Sequence, residues 1–188
     1  LQGLCHANLS NFALAVNSFA TAIELKPSHV ESYVQLAEAM AHIGHLQQAS
    51  GFLAQALQHF PGEPLLLRAL AKLQAQQGLL LQACQTCERM TAAPDCAAEI
   101  LLEHAELLQR AQQHPQALAL LERVLQATPR HVNAMNSMAI SLCALHQHEQ
   151  ALAVYERLLK IKPQDSTALK NVATIHLIRR DFARAHTH

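Results

Sequence analysis

The sequence predicts an all-α solenoid, a stack of helix–turn–helix repeats, and three observations carry that prediction. Alanines recur at Ala15, Ala49, Ala83, Ala117, Ala151 and Ala185, each 34 residues after the last. A second ladder of small residues keeps the same spacing at Gly3, Ala37, Ala71, Ala105, Ala139 and Ala173. A stretch of one plan, clearest in Ala151 to Pro163 (ALAVYERLLKIKP), recurs with closing prolines at Pro27, Pro61, Pro94, Pro129 and Pro163. Proline cannot continue a helix and biases the residue before it away from helical angles, so each proline ends the second helix (B) of a repeat.

The elements follow in order. Residues 1–27 form a partial repeat: the end of a first helix (A) to about Ala7, then a B helix from Asn11 to about Leu25 with Phe19 and Ala22 packed. Repeats 28–61, 62–95, 96–129 and 130–163 are complete, and a partial repeat over 164–188 stops partway along its second helix. Ser28, three residues before Glu31, reads as a capping box for the second A helix, which turns at Gly44. Repeat three opens with Glu63 and Pro64, where proline costs no helical hydrogen bond, and turns at Gly78. Pro94 arrives one residue early, yet Ala105 still follows Ala71 by 34, so the irregularity stays in the loop, with Asp95 as a cap.

The ladders explain the architecture, because side chains no larger than methyl let helices A and B approach closely. Leu36, Leu70, Met138 and Val172 fill in beside one ladder, and Phe19, Leu53, Cys87, Leu121 and Tyr155 beside the other. His104 stands where the first series has leucine. It is either a buried neutral histidine with a partner or the mark of a helix shifted to expose it.

A 34-residue period of helix, turn, helix and terminal proline resembles the tetratricopeptide repeat (TPR), and the resemblance spans the whole chain. With the second ladder at repeat position 8, the first falls at position 20 and most prolines at 32. The resemblance implies a right-handed superhelix whose concave groove is lined by A helices. It also implies that positions 2, 5, 6, 9, 12 and 13 face that groove. The candidate partner-binding residues are then Glu31 and Glu38, Arg68 and Lys72, Glu99, Glu103, Glu106 and Arg110, Asn133 and Asn136, and Lys170 and Asn171. Ile140, Cys143, Thr174, Leu177 and Ile178 share the same register positions. No three successive repeats supply the Lys/Asn/Arg set with which chaperone-binding members hold a C-terminal carboxylate. Nor is there the asparagine ladder of the glycosyltransferase-linked members; only Asn171 fits it.

The most distinctive groove feature is acidic. Glu99, Glu103 and Glu106, spaced four and three apart, share a helical face, and such like-charge pairs repel by about 0.2–0.5 kcal/mol each. A cationic ligand would relieve that repulsion; lateral ion pairs from Arg68 and Lys72, or water, would do so equally.

Composition narrows the function. The 188 residues are 51% hydrophobic and 15% charged, with 14 basic against 14 acidic side chains, which argues against a general nucleic-acid binder. No apolar run approaches the roughly 20 residues that span a membrane. Five scattered cysteines do not make a secreted disulfide framework, so a reducing, cytoplasmic setting is expected. Cys84 and Cys87 form a C-x-x-C within a B helix, read first as packing and only then as redox or zinc chemistry. The 13 histidines, among them His146 and His148 beside Cys143, read first as surface polarity and next as adventitious metal binding. No phosphate loop, nucleophile elbow or H-E-x-x-H occurs, so neither catalysis nor a cofactor is expected.

The expected function is a protein-interaction scaffold that holds a peptide or helix, basic or amphipathic, in the groove. The alternative is the recognition or regulatory arm of a larger enzyme such as a glycosyltransferase or sulfotransferase. Leu1 and His188 both fall inside helices of the register, so the sequence reads as a segment of a longer protein whose cut ends would self-associate.

Overall fold

The computed structural model describes residues 12–92 and 96–185, and among them are ten α-helices and no strand. The A helices are α2 (Val30–His42), α4 (Pro64–Gln76), α6 (Ala98–Arg110), α8 (Val132–Ala144) and α10 (Ser166–Ala185). The B helices are α1 (Phe12–Leu25), α3 (Leu46–His59), α5 (Leu80–Thr91), α7 (His114–Ala127) and α9 (His148–Ile161). Where the proline is described, each B helix stops two residues before it, at Leu25, His59, Ala127 and Ile161. Gly3, the helix A stub of residues 1–7, Pro94 and Asp95 lie outside the described residues.

The chain forms two compact units, Leu1–Asp95 and Cys96–His188. In the first, consecutive helices from α1 to α5 pack in antiparallel pairs and α2 also touches α4; in the second, α6 to α10 pack likewise and α6 touches α8. Ala15, Ala49, Ala83, Ala117 and Ala151 are wholly buried, as are Ala37, Ala105 and Ala139, with Ala71 2% exposed. Leu53, Leu66 and Leu67 fill the first unit, and Met135, Tyr155 and Leu158 the second.

The turns inside each repeat keep the same 34-residue step. Gly44 (φ 89°) and Gly78 (φ 80°) take the left-handed conformation that glycine adopts without penalty, and Gln112 and His146 (both φ 60°) take it without being glycine. Each forms a Schellman closure: the next N–H reaches back across the turn, His45 to Met40 O (2.9 Å), Leu79 to Gln74 O (2.9 Å), Gln113 to Leu108 O (2.8 Å) and Gln147 to Leu142 O (2.9 Å).

Three local expectations are corrected. The Ser28 capping box does not form: the N-cap of α2 is His29, whose Nδ1 lies 2.9 Å from Ser32 Oγ and whose Nε2 lies 3.6 Å from Glu31. The His29 ring meets the Ser32 and Glu31 side chains and makes no hydrogen bond to a backbone N–H of the first turn, so α2 begins without a side-chain cap. The N-cap of α6 is Ala97, two residues beyond Asp95. The last repeat does not turn, since α10 runs unbroken through Arg180, the register equivalent of Gly44. A left-handed residue other than glycine costs roughly 1–2 kcal/mol, and among the described residues no B helix packs on α10 beyond Arg180 to offset that cost. Ala173, the counterpart of buried Ala139, is consequently exposed.

Two other caps hold as side chains. His131 Nδ1 accepts from the Ala134 N–H (3.1 Å), and Asp165 Oδ1 accepts from the Ala168 N–H (3.0 Å) while its other oxygen meets Lys162 Nζ at 2.9 Å. The Ala168 amide first, then Lys162, holds the Asp165 carboxyl below its ordinary range. His104 is 3% exposed, and burial lowers its pKa to about 4, so it is neutral at pH 7.

These features set three measurable outcomes. Ala139→Leu or Ala151→Leu overpacks an A–B contact and costs roughly 1–3 kcal/mol in denaturant melts. Gln112→Gly relieves the left-handed strain and raises the unfolding free energy from the same melts by about 0.5–1 kcal/mol. For His104 the unfolded chain binds the proton first, so its contribution is complete above pH 6.5 and falls away towards pH 4. Wild type therefore loses about 3 kcal/mol relative to His104→Leu over that interval, read from melts at a series of pH values.

Candidate partner-binding groove

The groove positions fall on the A helices, and each unit presents its own set. In the first, α2 carries Glu31 and Glu38 and α4 carries Arg68 and Lys72. Glu31 and Arg68 are exposed. Lys72 Nζ pairs with Glu38 Oε1 at 3.2 Å, one repeat apart and both in reach of solvent, so it crosses to the A helix before it in its own unit. An exposed pair of this kind contributes at most about 1 kcal/mol. It sits on a shallow cavity of about 210 Å3 with Ala37, Ala41, Leu53, Ala69 and Leu73 among its lining residues and His42 and Gln76 beside the pair.

In the second unit Glu99 and Glu106 are exposed on α6 and Glu103 is half-buried between them. Arg110 is exposed in the last turn of the same helix. On α8, Asn133 is exposed and Asn136 half-buried; on α10, Lys170 is exposed and Asn171 half-buried. Gln109 faces α8 and donates to Ser137 O (2.6 Å) and Ser141 Oγ (2.7 Å), which ties one A helix to the next. Gln77 ties a turn to the preceding repeat in the first unit in the same way, donating to Leu46 O (2.7 Å) and Ser50 Oγ (2.9 Å).

Asn171 belongs to a different setting from the one its register position suggests. Its amide donates to Tyr155 Oη at 2.8 Å, and both residues line a cavity of about 390 Å3 between α8, α9 and α10. Ile140, Cys143, Thr174, Ile175 and Ile178 complete the apolar wall, with His146 and His148 at the edge. Burial raises the Tyr155 hydroxyl and the Cys143 thiol above their ordinary pKa values. Sequence reasoning placed Tyr155 purely in the packing and did not connect it with Asn171. The available signal was the polar tip on Tyr155 at a position that the other repeats fill with Phe19, Leu53, Cys87 and Leu121.

The repeat-by-repeat geometry agrees with an independent comparison of the sequence. The tetratricopeptide repeat profile matches residues 9–73 and 108–174, more than half of the chain. The chain belongs to the tetratricopeptide repeat family.

Solved structures of TPR proteins share the fold at low identity. A tetratricopeptide repeat protein from Parabacteroides merdae superposes with a TM-score of 0.78 at 18% identity, over 98% of this chain and 73% of that one. YrrB, described as a TPR protein with an unusual peptide-binding site, gives 0.70 at 16% identity, over 88% and 85% of the two chains. MamA from Desulfovibrio magneticus RS-1 gives 0.69 at 17%, over 84% and 89%. No curated protein sequence matches the chain.

The remaining reactive side chains of this TPR array are placed as follows. Among the described residues no three His, Cys, Asp or Glu side chains converge as a metal site, and no helix is long and apolar enough to cross a membrane. Cys84 and Cys87 are buried in the body of α5 outside any disulfide, and Cys84 is raised in pKa by burial and then by Glu88. Cys96 and Cys143 are half-buried. Brief iodoacetamide treatment at pH 7.5, followed by peptide mass spectrometry, therefore labels Cys96 well before Cys84 and Cys87, which react only once denaturant opens α5. Early labelling of Cys87 would contradict its place in the core.

Proposed function

We propose that the protein is an interaction scaffold that binds an extended or helical segment of a partner along its A helices, without chemistry of its own. The observation that carries this reading is the run of solvent-facing polar and charged side chains at groove positions, set beside open apolar cavities within each unit. Family membership supports it, since TPR arrays present such surfaces to proteins and peptides. The peptide-binding site for which YrrB is described supports it too. The preferred partner segment is basic or amphipathic, because Glu99, Glu103 and Glu106 put three carboxylates on one face of α6.

The outer face of α10 supports a second contact. Leu169, Ala173 and Leu177 are exposed on α10, and the counterparts of Leu169 and Ala173 in α8, Met135 and Ala139, are buried. A second copy of the chain is the proposed cover for that face, its own α10 set apolar side to apolar side.

Both readings are testable. Glu99→Gln, Glu103→Gln and Glu106→Gln together lower the affinity of a basic amphipathic peptide by several-fold. Added salt weakens the wild-type complex more than the triple variant, since about 0.1 M salt screens exposed charges beyond about 10 Å. Unchanged affinity in the triple variant would remove the acidic face from the site. Leu169→Glu abolishes concentration-dependent association in sedimentation velocity, and a wild type that stays monomeric throughout would refute the self-contact.

A further inference from the structure

The cavity between α8, α9 and α10 has the form of a side-chain receptacle. Its walls are Ile140, Cys143, Ile175 and Ile178, its inner end is the Tyr155 hydroxyl, and no carboxylate or permanent cation lines it. At about 390 Å3 it has room for an aromatic ring or a branched aliphatic side chain. Asn171 spends one amide hydrogen on Tyr155 and keeps its carbonyl oxygen and second hydrogen to meet a peptide backbone. Thr174, one helical turn further along α10, offers a hydroxyl at the same rim.

The charge on this unit is polarised along the same line of A helices. Carboxylates lie on α6 at Glu99, Glu103 and Glu106 with Arg110 in its last turn, the neutral amides of Asn133 and Asn136 on α8, and Lys170 on α10 beside the apolar cavity between α8 and α10. Packed helices lie about 8–10 Å apart and a cavity lies between α8 and α10, so α6 and α10 are separated by at least roughly 20 Å. An extended chain needs at least about six residues, at about 3.3 Å each, to cover that span.

We infer that the second unit recognises an extended peptide with a large apolar anchor, aromatic or branched aliphatic, seated in the α8–α9–α10 cavity and basic residues at least about six positions away over α6. This rests on the groove reading above and adds to it the position of the anchor and the spacing of the two elements. Charge complementarity selects this occupant: Glu99 and Glu106 are exposed on α6, Lys170 is exposed on α10, and the cavity lining itself carries no carboxylate, lysine or arginine, which suits a peptide basic over α6 and apolar at the cavity.

The test uses fluorescein-labelled twelve-residue peptides, otherwise of Gly, Ser and Thr, with two adjacent lysines and a phenylalanine six residues away, made in both chain directions. Binding to the whole 188-residue chain is followed by fluorescence anisotropy at low salt. One direction binds, and replacing its phenylalanine by serine weakens binding by about 10- to 100-fold, the loss expected on withdrawing one buried large apolar side chain. Ile140→Glu, at a side chain 43% exposed and so outside the packed core, gives a comparable loss with thermal melting preserved. Moving the lysines to two residues from the phenylalanine weakens binding several-fold.

Equal binding of the phenylalanine and serine peptides, with dependence on the α6 carboxylates intact, would overturn the cavity as an anchor site and leave the groove reading standing. No saturable binding of any peptide in either direction would overturn both. A concentration-dependent dimer of the unliganded chain that Ile140→Glu abolishes would assign the cavity to a second copy and overturn the peptide proposal.

Discussion

The contact on which the structure depends is that of one methyl group against another helix, repeated at every A–B pair. Ala37 and Ala49, Ala105 and Ala117, and Ala139 and Ala151 are wholly buried because two helix backbones pass close to each other there. Larger side chains such as Leu53, Leu121 and Tyr155 pack around that crossing. Where the crossing is absent, at Ala173, the neighbouring apolar residues face solvent. Each pair thus needs only its neighbours, and stability grows along each stack instead of converging on one centre.

The period that made the fold legible also blurred the site. A spacing of 34 residues gives the helices, their order and their closing prolines directly, because each depends on steric rules local to one repeat. A groove side chain is different, since its role depends on what the next repeat offers it. Lys72 was placed among possible partners of the α6 carboxylates, yet it reaches back to Glu38. Gln109 holds a groove position and spends its amide on Ser137 and Ser141. Asn171 looked like an isolated copy of a peptide-holding ladder and is anchored on Tyr155. In each case the residue type was right for a ligand contact, and a neighbour 16 to 34 positions away in sequence decided its actual bond.

Helix ends were legible where steric rules fix them and not where several side chains compete. Pro64 opens α4 and Gly44 and Gly78 close their helices as backbone geometry requires. Ser28 and Glu31 carried a capping signature, but His29 lies between them and takes the position. Gln112 and His146 show that the turn does not require glycine when two helices dock across it. Arg180 shows the converse, with α10 continuing as helix through it and, among the described residues, no B helix following.

The bridge from Gln109 to α8 has a mechanical consequence. Its amide reads a backbone carbonyl and a hydroxyl one turn apart on the neighbouring helix, so sliding α8 along α6 by even one residue forfeits both bonds. Rotation about an axis near the bridge keeps them. The joint therefore resists shear while permitting bending, as a leaf spring does when its plates are pinned at a point. Under load this unit would change its curvature before its helices changed register.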